Sequence, residues 1–248
     1  MATDLLLIAP GFPADEEDST CIPPLQGYLR ALREARPGWR IAVIATQYPP
    51  IDRPYSWHGI SVHPCNGRNK WYRKPGTWGR AAKALEELRA AGDIRALHSL
   101  WLGECAMLAS KWAKALMIPH VLTLMGRDAR DGARWWRRIQ RPTSVVCLTE
   151  RHAVHFRHMS GTRADAIVPW GINGDSKAPY QAQRDIDVLW CGSFAPVKRP
   201  ALFLDVIAQF PEQPAPRTVM VGQGATAFFA RRRSGRGAPM ERRGITVM

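Results

Sequence analysis

Short apolar runs recur along the chain: Leu5–Ala9, Ile41–Ala45, Ile60–His63, Ala96–Ser99, Val121–Leu124, Ser144–Leu148, Ala166–Val168, Val188–Cys191 and Thr218–Val221. Because most are continuous rather than alternating, they predict strands buried on both faces of a parallel sheet. The intervening stretches carry apolar stripes at helical spacing. One stripe is Trp78, Ala81, Ala82, Leu85 and Leu88; a second is Leu102, Ala106, Ala109, Ala113 and Leu116. A third is Leu202, Phe203, Val206, Ile207 and Phe210. This alternation predicts α/β layers joined by right-handed crossovers.

A break is expected between Pro169 and Asp185, where Trp170–Asp175 is turn-rich and Tyr180–Asp185 is polar without periodicity. The predicted organisation is a first domain over 1–170, a linker over 171–185 and a partial second domain over 186–224. Residues 225–248 are expected to be a basic, disordered tail. A single βαβ unit after the linker offers too little area for an independent core. The second domain therefore leans on the first, or the chain is a shortened version of something longer.

Composition narrows the class. The 248 residues are 46% hydrophobic and 23% charged, which is ordinary globular usage and excludes a wholly disordered chain. The net charge of +14 suits nucleic acid, anionic lipid or phosphorylated small molecules without choosing among them. Seven arginines and one glutamate fall between Arg217 and Met248, so less than half of that surplus sits in the tail. No apolar run reaches the ~18 residues needed to span a bilayer, and Leu5–Ala9 lacks the basic leader of a signal peptide. Five scattered cysteines form no C-x-x-C pair, which argues against a zinc site or disulfide framework and for a cytoplasmic setting.

The most informative stretch is Asp187–Pro200, DVLWCGSFAPVKRP. A strand ends at Cys191, a short loop presents Ser193, Lys198 and Arg199, and Pro200 occupies the favoured first position of a helix. Free amides at a helix start beside two cations suit an anion such as a diphosphate. The bland alternative is an ordinary loop with solvated basic residues.

The order of such segments resembles the retaining glycosyltransferases of the GT-B fold, the "group 1" family of bacterial polysaccharide biosynthesis. Ala9–Pro10–Gly11–Phe12–Pro13 follows a strand as that family's glycine loop does, and His98–Gly103 resembles its H-x-H/W-x-x-G segment. Ile118–Asp128 is similar to its I-P-x-V-x-T-x-H-G-x-D segment, and Ile167–Asn173 to its I-P-N-G-[IV]-D. Val188–Lys198 resembles F-V-G-R-L-x-x-x-K-G, and Val219–Gly224 resembles V-G-x-G. The resemblance implies a GT-B-like α/β fold, with a Rossmann-like N-terminal domain and a partial second Rossmann-like domain. It implies transfer of a sugar from a nucleoside-diphosphate sugar to a glycan or lipid-linked acceptor, with no cofactor and no obligatory metal. Lys198, Arg199 and Ser193 then face the donor phosphates, while Gly11 and Arg127 line the substrate cleft. His98, at a strand end, and Asp128 are candidate catalytic residues. The setting implied is the cytoplasmic face of a membrane, with peripheral contact to anionic lipid.

Departures from the pattern matter as much. Met125 stands where the family has a histidine, and a thioether has no titratable proton. Ser193 replaces an arginine, and no pair of glutamates eight apart follows Gly224. A non-catalytic fragment or pseudoenzyme is therefore the rival reading. A third reading uses the basic stretches Ala133–Arg141 and Asn69–Lys74, both rich in aromatic residues, to bind nucleic acid. No nucleic-acid signature accompanies that charge, so this reading is the least favoured. Plain surface roles compete at each candidate: an ion pair in a turn for Arg127 and Asp128, a structural histidine for His98, a helix-start carboxylate for Glu104, and inward-packed tryptophans for Trp135 and Trp136.

Overall fold

Leu5–Gly11 (β1) is shielded from water on both sides, and its alternate side chains divide between two layers. Leu5, Leu7 and Ala9 pack with Leu25 and Leu29 of α1 (Pro23–Ala35). Leu6 and Ile8 face the other way, against α2 (Lys74–Ala91) and α3 (Glu104–Leu116). The two-residue period of a strand thus feeds two cores at once, and each fully buried leucine contributes roughly 1.5–3 kcal/mol.

The computed structural model describes residues 3–171, 185–210, 216–222 and the backbone of 245–247. Residues 172–184, which make up most of the expected linker, lie outside that description, as do Gln223, Gly224 and the arginine-rich stretch Arg231–Arg243. The chain divides into two compact units, Met1–Asp175 and Ser176–Met248.

In the first unit eight strands form one sheet, ordered β3 (Tyr55–Trp57), β4 (Ile60–Pro64), β2 (Ile41–Tyr48), β1, β5 (Leu97–Leu100), β6 (His120–Leu124), β7 (Ser144–Cys147) and β8 (Ala166–Ile167). All neighbours are parallel except the β3–β4 hairpin, turned by His58 and Gly59 at positive φ. From β1 the chain builds outward through β2 and β4, then returns to the opposite side of β1 at β5. At that reversal the loops leaving β1 and β5 diverge and open a crevice above the strand ends. Over β6 and β7, α6 (Glu150–Ser160) packs with the short α4 (Asp128–Asp131) and α5 (Ala133–Trp136). Thr149 caps α6 by accepting a 3.1 Å hydrogen bond from the His152 amide, and Gly161 ends it in the left-handed region.

The second unit has a parallel three-stranded sheet, ordered β11 (Ile245–Val247), β10 (Thr218–Val221) and β9 (Val188–Cys191), with α7 (Pro200–Ile207) beside it. Phe194, Leu204, Ile207 and Met220 make its buried core among the described residues. A Cβ on Gly222 would lie 1.9 Å from the Gly192 carbonyl oxygen, so the ends of β9 and β10 approach too closely for any side chain there. The strand β11 corrects the expectation of an unstructured tail over its whole length. Three residues set against an arginine-rich background are too few to give a periodic signal, yet Ile245–Val247 completes the hydrogen bonding of β10.

Candidate functional site

The crevice above β1, β2 and β5 is a cavity of about 380 Å³, entirely within the first unit. Its polar floor is assembled from three loops. Gln47, near the end of β2, donates from Nε2 to Glu104 Oε2 over 3.1 Å, and Lys74 Nζ forms a close ion pair with Glu104 Oε1. Glu104 is the first residue of α3, whose N-cap Gly103 has no side chain to satisfy the helix amides. A carboxylate there is favourable by ~0.3–1 kcal/mol, and with its oxygens held by Gln47 and Lys74 it is fixed in place. Trp101 and Trp135 supply half-buried apolar walls, and Asn69 and Lys70 sit at the rim.

The rim is built on strained backbone. Asn66, Arg68 and Asn69 all have φ near +50°, and Trp101 has φ +63°. Such conformations cost of order 1–3 kcal/mol each and persist only where the surroundings dictate them. They do so here. Asn66 Nδ2 donates to Asp52 Oδ1 at 2.8 Å, and its Oδ1 accepts from Arg68 Nε at 2.6 Å. The Asn69 amide donates to Gln47 Oε1 at 2.9 Å, and the Trp101 amide to the Thr123 carbonyl at 3.0 Å. Between them, a Cβ on Gly67 would lie 2.6 Å from the Thr46 carbonyl oxygen, so only glycine lets this loop lie on the end of β2.

Asp128 stands behind the crevice and its carboxylate is fully engaged. It accepts from the amides of Leu102 at 2.9 Å, Met125 at 3.1 Å and Gly126 at 2.7 Å, tying the loop after β5 to the loop after β6. That is a positioning role for the crevice wall. Arg127 is exposed and pairs with Asp131 at 3.3 Å. Hydrogen bonding from Arg130 holds the Asp131 carboxyl down at about 2. Met125 is partly buried against the α1 core. Gly11 is buried, where a Cβ would meet Cys21 Sγ at 3.3 Å, and the neighbouring Pro10 faces the cavity in its place.

His98 is displaced from its expected position. It is the second residue of β5 rather than the end of the strand, and it lines a different, largely apolar groove of about 660 Å³ beside α1, with Tyr28 and Trp170. Its Nε2 lies 2.8 Å from Thr123 Oγ1 and its Nδ1 lies 3.4 Å from Tyr28 Oη. Burial, and secondarily the nearby His120, pushes its pKa down to about 4. The ring is therefore neutral near pH 7.

In the second unit, Ser193, Lys198 and Arg199 are all exposed. Lys198 ends a 3₁₀ turn, Pro196–Lys198, and Arg199 takes φ +50° just before α7 begins at Pro200. No ion pair involves either cation among the described residues. In the basic stretch 133–141, Trp136 packs edge-on against Phe156 at 5.0 Å and Arg134 lies over Trp135 at 5.3 Å, so the tryptophans turn inward. Trp71 and Tyr72 remain 80% and 63% exposed.

No family model and no curated protein matches the sequence. Solved structures do. The Arabidopsis thaliana UGT89C1 complexed with UDP aligns over 100% of this chain and 70% of its own, at 11% identity and TM-score 0.53. The fold is GT-B-like. A UGT transferase from Siraitia grosvenorii in complex with UDP matches 90% of the chain at 11% identity and TM-score 0.49. This chain spans 63% of that protein's length. Among the described residues no group of three or more His, Cys, Asp or Glu is placed to hold a metal ion. No described helix is long and apolar enough to cross a membrane.

Glu104 is the site residue that sequence reasoning set aside. Its carboxylate was accounted for by the helix start alone, and its partners lie thirty and fifty-seven residues away. The useful signal was positional, since Gln47 and Glu104 both follow predicted strands that flank β1.

Proposed function

We propose that this protein is a glycosyltransferase-like sugar-handling protein, with the acceptor in the first-unit crevice and a nucleoside-diphosphate sugar held through Lys198 and Arg199 in the second. The observation that carries the reading is the Gln47–Glu104–Lys74 floor at the sheet reversal of a GT-B-like fold. In sugar transfer the bond from the anomeric carbon to the diphosphate oxygen breaks, and the diphosphate leaves with the electron pair. The acceptor oxygen bonds to that carbon and passes its proton to the departing diphosphate oxygen. Charge accumulates on the diphosphate, so cations aimed at it lower the barrier. Lys198 and Arg199 carry charge of that sign and form no ion pair among the described residues. Ser193 and Arg127 stay within the proposal as accessory substrate contacts. Gly11 shapes the end of β1, and Asp128 positions the crevice wall.

Retention of configuration and a place in surface polysaccharide synthesis on a lipid-linked or glycan acceptor rest on the motif order. So does contact with an anionic membrane. The test is release of nucleoside diphosphate from UDP-, GDP- and ADP-hexoses in the presence of mixed oligosaccharide acceptors. Release above the no-protein control, abolished in Lys198→Ala, supports transfer. The rival non-catalytic reading is favoured by Met125 and Ser193 at the two family-matched positions. It requires that no such release occurs with the folded protein.

A further inference from the structure

The crevice carries more positive charge than its own carboxylate matches. Glu104 is matched by Lys74, whereas Lys70, at the rim of the same cavity, has no acidic partner among the described residues. The cavity has the size of a small-ligand site. It is also chemically two-sided: Gln47 and Glu104 offer an amide and a carboxylate to hydroxyl groups, and the Trp101 and Trp135 rings offer apolar faces. A sugar ring has both kinds of surface, with C–H faces and equatorial hydroxyls. Next along the chain from Lys70, Trp71 and Tyr72 stand edge to face at 6.2 Å, both exposed, where a large aromatic side chain gains little from the protein itself.

We propose that this crevice selects a negatively charged sugar, a phosphorylated or carboxylated hexose. Its hydroxyls are held by Glu104 and Gln47, and its anionic group by Lys70. The proposal rests on reading the first unit as the acceptor side, and it narrows that reading from any sugar to an anionic one. Neutral sugars fit the same floor but leave Lys70 unmatched. A bare phosphate meets Lys70 but leaves the floor and the tryptophan walls empty. Discrimination therefore comes from the combination. Nucleic acid is a poorer occupant, because the crevice is a single short pocket rather than a track with successive stacking platforms.

Calorimetric titration of the full chain with glucose 1-phosphate, glucuronic acid, methyl glucoside and inorganic phosphate tests this directly. Both anionic sugars are expected to bind about tenfold more tightly than methyl glucoside or phosphate, the scale of one charge-assisted hydrogen bond. Lys70→Ala should bring the anionic sugars down to the neutral level, and Lys70→Arg should retain most of the preference. Glu104→Gln should weaken all three sugars alike. Equal affinity for charged and neutral sugars overturns the proposal, as do phosphate binding as tight as that of the sugar phosphate and an unaltered preference in Lys70→Ala. Absence of any sugar binding overturns it as well. Lys114→Ala, an exposed lysine in the last turn of α3 remote from the cavity lining, serves as the control and should leave these affinities unchanged. Nucleotide binding that persists while the anionic preference is missing removes this inference and leaves the proposed function standing.

Discussion

Gln47 and Glu104 meet across 3.1 Å at the carboxyl ends of β2 and β5, and Lys74 closes on the opposite carboxylate oxygen. The contact joins two strands that flank β1, so the same reversal of strand order that opens the crevice also supplies its floor. Glu104→Gln keeps the shape and one acceptor oxygen but removes the charge. The expected cost in stability is about 1 kcal/mol or less, from the lost ion pair and helix-end interaction. A drop in acceptor affinity without a comparable drop in melting temperature is the outcome that separates a binding role from a structural one.

Asp128 should behave in the opposite way. Three loop amides depend on its carboxylate, and Asp128→Ala leaves part-buried donors without a partner. A loss of about 2–3 kcal/mol is expected, measured as a shift in the urea midpoint with an unchanged slope. The proposed transfer should fall in proportion to the unfolded or loosened fraction, so low temperature should restore part of it. A variant of full stability and no activity would place Asp128 in the chemistry itself.

The acid response follows from two buried histidines. His98 and His120 are both pushed down to about 4, chiefly by burial, from an ordinary value near 6.5. Folded-state values below unfolded ones mean that the unfolded chain takes up more protons between those limits. Their stabilising contribution is therefore complete above about pH 6.5 and is lost as the pH falls toward 4, by a few kcal/mol. Urea titrations at pH 7.5, 6 and 5 should show a declining midpoint, and His98→Gln should flatten that decline. A midpoint independent of pH across this range would contradict the burial of both rings.

Much of the fold was legible because burial on both faces writes itself as unbroken apolar runs. Leu5–Ala9 and Ile41–Ala45 are the clearest cases, pairing residue for residue as β1 and β2. The strand Tyr55–Trp57 was not legible, because its hairpin turns on His58–Gly59 rather than on a strong turn pair such as Asn-Gly. The start of helix Pro23–Ala35 was not marked, because it has no capping side chain, although Leu25, Tyr28, Leu29 and Leu32 fall at helical spacing and join the core around β1. At the site, spacing identified loops but not partners. Asp128 stands in the sequence as a candidate catalytic residue because three amides contributed by two separate loops leave no mark in a sequence. Lys70 and Lys74 were noticed as one basic stretch, yet only the fold distinguishes the paired lysine from the unpaired one.

The second unit should be intolerant of a single methyl group. Gly222→Ala puts a Cβ against the Gly192 carbonyl, forcing β9 and β10 apart. Lost amide-exchange protection in Val188–Cys191 and Thr218–Val221, with Leu5–Gly11 still protected, is the expected pattern. Uniform protection in both units would show that the ends of β9 and β10 have room for a side chain at position 222.

The most direct test is calorimetric titration of the intact protein with UDP, GDP and ADP, alongside Lys198→Ala. One nucleoside diphosphate should bind at one site per chain, and removing the lysine should weaken it about tenfold, as expected for a lost charge-assisted contact to phosphate. Failure of all three to bind the folded protein, or equal affinity in the variant, would contradict a sugar-nucleotide role for this chain.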